Sequence, residues 1–302
     1  MIRRSGRARK ESHDPGPITW MEGIRIEKNG VRFRLVNKPL HVRRLARSWL
    51  SQFVGPLRVR KGLRELPHFF QCVYQYSKLP GAEPIRVLEI LPQLHDRTQF
   101  TPFNKHYFYM GAWATRRIVG RNPKIHVDIG SSVVFVSTLT AMTTVVFVDY
   151  RPLRAKIRGL IGVAGDILSL PFADDSLKSL SCLHVAEHIG LGRYDDRLDA
   201  QGTEKAIKEL ARVVAPGGDL FFALPIGRER LCFNGHRVHA PATVVERLSS
   251  FNLVEFSGVH DDGTFVECAR LGDFIDDEYA CGMYWLQKSK LVGADGWVMR
   301  GE

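Results

Sequence analysis

The sequence predicts an open, mostly parallel α/β sheet with helices on both faces, preceded by a basic, mainly helical N-terminal extension. Three observations predict this. From Lys124 onward, short β-branched runs alternate with stretches of helical period, the pattern of parallel strands joined by crossover helices. The strand-like runs end in acids or glycines, at Asp128-Ile129-Gly130, at Asp149 and at Gly165-Asp166. The charge is also divided: residues 1–120 hold 23 Lys+Arg against 8 Asp+Glu, and residues 121–302 hold 20 against 24. The extension is therefore expected over 1–120 and the α/β domain over 121–302.

Composition excludes several classes. With 44% hydrophobic and 25% charged residues, the chain has the make-up of a soluble globular protein. Its five cysteines are odd in number and lack metal-ligand spacing, which suits a reducing, cytoplasmic compartment. The charged N-terminus has no apolar leader run. Residues 129–148 carry no charge, long enough to test as a membrane span. Gly130, Ser131, Ser132, Thr143 and Thr144 interrupt that stretch, so it reads as strand end, helix and next strand. The basic extension suits peripheral contact with an anionic membrane surface. No nucleic-acid motif is present, and nucleic acid is not an expected partner.

Residues 1–17 are polar, basic and rich in turn formers, the composition of a segment without regular structure. Alternation in residues 24–35 around Asn29-Gly30 predicts a hairpin. Residues 41–79 read as helical, with breaks at Gly55-Pro56 and Pro67, and residues 103–119 as a further helix. The aromatics of both, including Phe69, Phe70, Tyr74 and Tyr76, are expected to pack in a core. Strands follow over 125–130, 145–149, 161–164, 178–183, 219–224, 253–258 and 283–288. Helices are expected over 131–142, 152–158, 203–214 and 242–250; in the third, Ala206, Ile207, Leu210, Ala211 and Val214 make one apolar face.

In open sheets, ligands bind beyond the carboxyl ends of the strands. Gly130 allows a sharp turn and a close approach there, and Asp149, 21 residues after Asp128, ends the next strand, where an acid can accept ribose hydroxyls. Asp166 and Ile167 follow the third strand, where an acceptor and an apolar side chain can hold an adenine. In that order the three segments point to an adenosine-containing cofactor. His184, Glu187 and His188 follow the fourth strand; an imidazole or carboxylate there could take a proton from a hydroxyl or amine. His236 and His239 follow the fifth strand, and Arg193 lies in a glycine-bearing loop suited to grip an acidic group.

The run from Asp128 through Asp149, Gly165-Asp166, LPFADDSLKSLSCLHVAEHIG and ELARVVAPGGDLFFALP resembles class I S-adenosylmethionine-dependent methyltransferases. HYFYMGAWATRRI, VDIGSS, VDYRPL, CLHVAEHIGLGRYDD and FNGHRVHAP resemble, more closely, a bacterial family of unassigned function, domain of unknown function 268, over roughly Leu91 to Lys288. The resemblance implies a Rossmann-like methyltransferase sheet and S-adenosylmethionine as cofactor. Asp128, Gly130 and Ser132 would shape its methionine side, Asp149 would hold the ribose, and Asp166 and Ile167 the adenine. His184, Glu187 and His188 would face the acceptor, with Arg193, His236 and His239 as substrate contacts; the resemblance implies no particular substrate, and the lack of a nucleic-acid motif makes a small molecule or saccharide the expected acceptor. The first loop departs from the usual GxGxG, with Ser132 and Val134 in place of the second and third glycines. That departure keeps open a non-catalytic, methyltransferase-like binding module. The His184-x-x-Glu187-His188 run also resembles the metal-binding Glu-x-x-Glu-His of small-RNA 2′-O-methyltransferases and ubiquinone-pathway O-methyltransferases. A divalent metal on His184, Glu187, His188 and His236, with His239 as the other distant candidate, would follow, and the imidazoles would suit Zn, Fe, Mn or Ni better than Mg.

Overall fold

Parallel pairing fixes the centre of the molecule. In the computed structural model, which describes residues 24–27, 30–33, 49–50 and 56–290, strand β3 (Ile125–Ile129) pairs in parallel with β4 (Thr144–Asp149) on one side and β6 (Leu177–Leu183) on the other. Beyond β4 lies β5 (Leu160–Ala164), also parallel. Beyond β6 lies β7 (Val214–Ile226), parallel again. Next to it, β12 (Ala280–Lys288) runs antiparallel and separates β7 from β10 (Phe251–Val259), and β11 (Phe265–Val266) ends the sheet. The order is β11-β10-β12-β7-β6-β3-β4-β5. A parallel sheet with antiparallel β12 inserted between β7 and β10 is the class I methyltransferase sheet that the sequence resemblance implies; the two-residue β11 adds a further antiparallel edge.

Strand alternation sends side chains to opposite faces, and each face has its own core. Val127, Ile129, Leu180 and Phe222 pack under helices α4 (Gly202–Val213) and α5 (Pro241–Arg247). Leu183, Phe221 and Met283 pack with Met110, Trp113 and Ile118 of α2 (Lys105–Arg121) and with Phe135, Val136 and Leu139 of α3 (Val133–Leu139). Full burial of Trp113 leaves its indole N–H needing an acceptor, and Glu255 Oε1 supplies it at 2.9 Å.

The chain forms two compact units, residues 1–102 and 103–302. The boundary expected at residue 120 falls at Pro102, because α2 buries Met110, Trp113, Ala114 and Ile118 in the sheet's own core. Basic charge gave no sign of that packing, since Arg116 and Arg117 lie on the same helix as those apolar residues. In the first unit, β1 (Ile24–Glu27) and β2 (Gly30–Phe33) pair antiparallel, as the hairpin pattern predicts. Helix α1 (Pro56–Ser77) begins at the expected break but runs through Pro67. The carbonyl that loses its partner there belongs to Leu63, which is exposed, so solvent can satisfy it. Glu65, buried and bonded by Arg97 at 2.7 and 2.9 Å, and Lys61 on the His95 carbonyl at 3.0 Å anchor the helix to residues 95–97. Phe70, Tyr74 and Tyr76 are exposed rather than core. Residues 1–17 and the helix start expected at 41–48 lie outside the described residues.

Three other expectations change. Residues 152–157 form no helix and run from β4 to β5 without regular structure. Strand β7 extends back through Pro216-Gly217-Gly218, where its register on β6 shifts between Leu177↔Val214 and Ser179↔Asp219. A short hairpin, β8 (Arg230–Cys232) with β9 (His236–Val238), follows β7, in a stretch for which the sequence predicted no element. Among the described residues no helix is long and apolar enough to cross a membrane.

Candidate active site

The order of strands reverses at β3: β4 and β5 lie to one side of it, β6 and β7 to the other. The crevice beyond the carboxyl ends at such a reversal is where open α/β sheets bind ligands. Gly130 sits there with φ +64°, and a Cβ on it would stand 3.2 Å from Val185 Cγ1 and 3.6 Å from Asp149 Oδ2. The loops after β3, β4 and β6 therefore meet around one glycine, whose left-handed backbone favours that residue and where a Cβ would crowd Val185. Asp149, half-buried, accepts a hydrogen bond from the Arg151 N–H on Oδ1 at 2.7 Å and turns Oδ2 toward Gly130. Tyr150, next to it, is exposed. Sequence reading passed over Tyr150; its signal was an aromatic side chain directly after a strand-end acid.

Asp128 lies beneath this rim rather than on it. It is fully buried, accepting the Ser131 N–H at 3.0 Å and the Ser181 hydroxyl. Ser131 Oγ in turn accepts the Leu183 N–H at 3.0 Å. Both ring nitrogens of buried His126 lie 2.8 Å from serine hydroxyls, Ser179 and Ser181. A polar spine thus crosses from β6 to β3 and pins the Gly130 loop from below. Burial pushes Asp128 up to about 6 against the hydrogen bonds from Ser181 and Ser131, and burial drops His126 to about 3. Asp128 shapes the loop, its carboxyl turned into this buried network.

Ser132 caps no helix amide with its side chain and is half-buried at the start of α3, and Val134 is 71% exposed. Asp166 is exposed, its Oδ1 accepting the Leu168 N–H at 2.9 Å. The Ile167 side chain is buried in the sheet's core with Val148 and Leu170, so it is not free to flank an adenine.

His184, Glu187 and His188 form a buried network instead of an open acid–base set. His184 takes φ +57° as β6 ends. Its Nδ1 lies 2.8 Å from Glu187 Oε1 and its Nε2 3.2 Å from Cys281 Sγ on β12. Burial opposes charge on His184, but the Cys281 sulfur and the Glu187 carboxylate outweigh it and hold the imidazole well above its usual value. Burial likewise opposes charge on Glu187, and His184 still holds its carboxyl low. Glu187 Oε2 is buried with no hydrogen-bond partner. His188 Nδ1 lies 2.6 Å from the Gly235 carbonyl, and its Nε2 3.6 Å from Glu187 Oε1. Burial drops His188 despite Glu187.

Of the expected substrate contacts, only His236 joins this neighbourhood openly. It is half-buried and meets Tyr279 at a tilt of 44°, with ring centres 4.6 Å apart; Tyr279 stacks on His106 at 5.3 Å, and His106 on His184 at 5.7 Å. Burial lowers His236 and drops His106 to about 4. His239 turns elsewhere: it is buried, bonded by Arg247 at 2.9 Å, and lines a separate cavity of about 250 Å³ with Arg237 and Thr203. Arg193 is exposed but engaged, donating to the Gly235 carbonyl at 3.0 Å. Its guanidinium and that of Arg151 lie 5.2 and 4.6 Å from the Tyr194 ring, which ties the 190–199 loop to the end of β4. Gly190 holds the base of that loop at φ +80°, where a Cβ would stand 2.2 Å from the Asp199 carbonyl oxygen.

The metal set expected from sequence does not form. His184 and His188 both approach Glu187, but their nitrogens, Glu187 and His236 do not converge on one point. Among the described residues the group that converges is His106, His184 and Cys281. Neither His106 nor Cys281 was singled out in sequence, because one lay in a helix of aromatics read as core and the other in a distant strand.

Fold and rim together define the class: an α/β domain of class I methyltransferase-type fold with a crevice at the β3 reversal. The family model described as "Caenorhabditis protein of unknown function, DUF268" matches residues 173–275, about a third of the chain. That stretch includes His184, Glu187, His188, Arg193 and both strands of the β8–β9 hairpin. Among solved structures, the N-methyltransferase NodS of Bradyrhizobium japonicum, in complex with S-adenosyl-L-homocysteine, is similar at 16% identity and TM-score 0.44, over 73% of this chain and 98% of that one. A SAM-dependent methyltransferase of Thermotoga maritima is similar at 15% identity and TM-score 0.40, over 61% of this chain and 93% of that one. The cyclase SpnF is similar at 12% identity and TM-score 0.43, over 60% and 81%. No curated protein matches the chain in sequence.

Proposed function

We propose that this chain binds S-adenosylmethionine and transfers its methyl group to the oxygen or nitrogen of a small-molecule or saccharide acceptor. The observation that carries the reading is the Asp149 carboxylate, half-buried beside the left-handed Gly130 at the point where strand order reverses. That combination fits a ribose: one carboxylate oxygen is oriented by the Arg151 N–H, the other faces the crevice, and Tyr150 offers an exposed ring for the adenine. Gly130 and Ser132 would line the methionine side.

The bound cofactor supplies an electrophilic methyl on a sulfonium. The chain's own residues contribute placement and exclusion of water, which matter most for an in-line displacement. Tyr107 and Tyr279 give the acceptor exposed aromatic faces beside His236. The His236 imidazole, held below its usual value by burial, is neutral at pH 7 and serves to take a proton from the attacking group. His184, Glu187 and His188 position this wall from behind, since their ring nitrogens and carboxylate are committed to one another, to Cys281 and to Gly235. Val134 stands in solvent, so the missing third glycine does not by itself close the loop.

Calorimetric titration of the full chain with S-adenosylmethionine and S-adenosylhomocysteine tests this. Both are expected to bind, and Asp149→Ala to weaken binding by about 1.5–3 kcal/mol, the range for a hydrogen bond to a charged group. Unchanged affinity in the variant would remove Asp149 from the site. No binding by the wild type would leave a cofactor-free binding module.

A further inference from the structure

We propose that His106, His184 and Cys281 bind a transition-metal cation of the zinc type. The site rests on ligand geometry and stands independently of methyl transfer. The three residues come from the first turn of α2, the end of β6 and the start of β12, far apart in sequence. Each offers one ligand atom, and these atoms all lie within 4.8 Å of one another. His184 Nε2 and Cys281 Sγ are already 3.2 Å apart. Zinc–nitrogen and zinc–sulfur bonds of about 2.0–2.3 Å place ligand atoms roughly 3.3–3.8 Å apart in a tetrahedron, so a shift of some tenths of an ångström up to about 1 Å in the half-buried His106 ring completes the set.

The surroundings are those of a ligand shell. Glu187 Oε1 sits 2.8 Å from His184 Nδ1, so that nitrogen keeps its hydrogen, and Nε2, which gives up its proton when a cation binds, is the atom directed toward Cys281. A carboxylate on the far nitrogen of a metal-binding histidine is the usual means of fixing its tautomer and direction. His184 holds a left-handed backbone, φ +57°, a strained conformation for a non-glycine residue that aims the ring at the shared point. The second Glu187 oxygen, fully buried, has no partner within the protein. Among the described residues no hydrogen bond reaches either ring nitrogen of His106.

Donor chemistry selects the cation. Two imidazoles and a thiolate suit zinc, cobalt or nickel, and exclude magnesium and calcium, which take oxygen ligands. Three protein ligands leave a fourth position open. Cys281 and His184 are buried and His106 is half-exposed, so that position opens on the side of His106, Tyr107 and Tyr279. A metal there would bind the heteroatom of a small ligand next to the aromatic wall.

The test uses the full chain, stripped with a chelator and titrated with cobalt(II), then with zinc(II). One equivalent of cobalt is expected to bind with a thiolate-to-cobalt charge-transfer band, and zinc to displace it. Cys281→Ser should abolish that band and His106→Gln should weaken zinc binding at least tenfold, with far-ultraviolet circular dichroism unchanged. Glu187→Gln should weaken it roughly 10- to 100-fold, as for loss of an orienting partner. Since Cys281 is buried, the His106→Gln variant carries the test if Cys281→Ser does not fold. A stripped protein that takes up no cobalt overturns the proposal. So does a band that survives in Cys281→Ser together with zinc affinity unchanged in His106→Gln, which would place the metal on other cysteines.

Discussion

Glu187→Ala is expected to destabilise the protein by about 3–5 kcal/mol, the cost of breaking a buried ion pair by removing one member. Glu187 is completely buried, and its Oε1 faces His184 Nδ1 at 2.8 Å and His188 Nε2 at 3.6 Å. Alanine would leave the His184 imidazole, also buried, without its counter-charge and acceptor, and would open a void beneath the β6 exit. Glu187→Gln keeps an amide oxygen for the His184 N–H and should cost distinctly less. Chemical unfolding of the metal-free chain at pH 7 measures both. A loss under about 1 kcal/mol for alanine would mean that water fully replaces the carboxylate, contrary to the burial of both partners.

The second large effect is a pH dependence centred on Asp128. Its carboxyl titrates near 3.8 when unperturbed and is pushed up to about 6 by burial in the fold, against the bonds from Ser181 and Ser131. Between these values the folded chain holds a proton that the unfolded chain has released. The contribution of Asp128 is therefore complete below about pH 4 and lost as pH rises through 6, a change on the order of 3 kcal/mol. Asp128→Asn can keep the acceptor for the Ser131 N–H and has no proton to lose. The stability difference between variant and wild type should move in favour of the variant by up to that amount between pH 4 and pH 7. A difference that stays flat across this window would show that the buried carboxyl titrates normally.

Much of this protein was legible in one dimension. The strands around Asp128, Asp149 and Leu183 could be placed because β-branched runs and terminal glycines are local signals. Asp149 and Gly130 stood out because an acid and a glycine at consecutive strand ends have a positional meaning in any parallel sheet. Other assignments failed where packing overrode local preference. Pro152 suggested a helix start, but residues 152–157 are fully used in reaching β5. Ile167 followed an acid at a strand end, yet its side chain is drawn into the core with Leu170. Asp128 had the pattern of a rim residue, but it shares a face with His126 and so points to the serines of β6 rather than to the crevice.

By itself, the sequence determined the alternation of elements, the parallel centre of the sheet, the reversal-point acid and glycine, and the presence of histidines and a glutamate just beyond β6. Each follows from side-chain period or backbone restriction within some ten residues. Only the tertiary structure decided what those histidines touch. Cys281 reaches His184 because β12 inserts antiparallel between β7 and β10, and His106 approaches both because α2 packs on the sheet. The left-handed backbone of His184 then turns its ring inward, toward Cys281 and Glu187. Such meetings depend on long-range pairing, with 78 and 97 residues of chain closed on His184, and no local pattern encodes them.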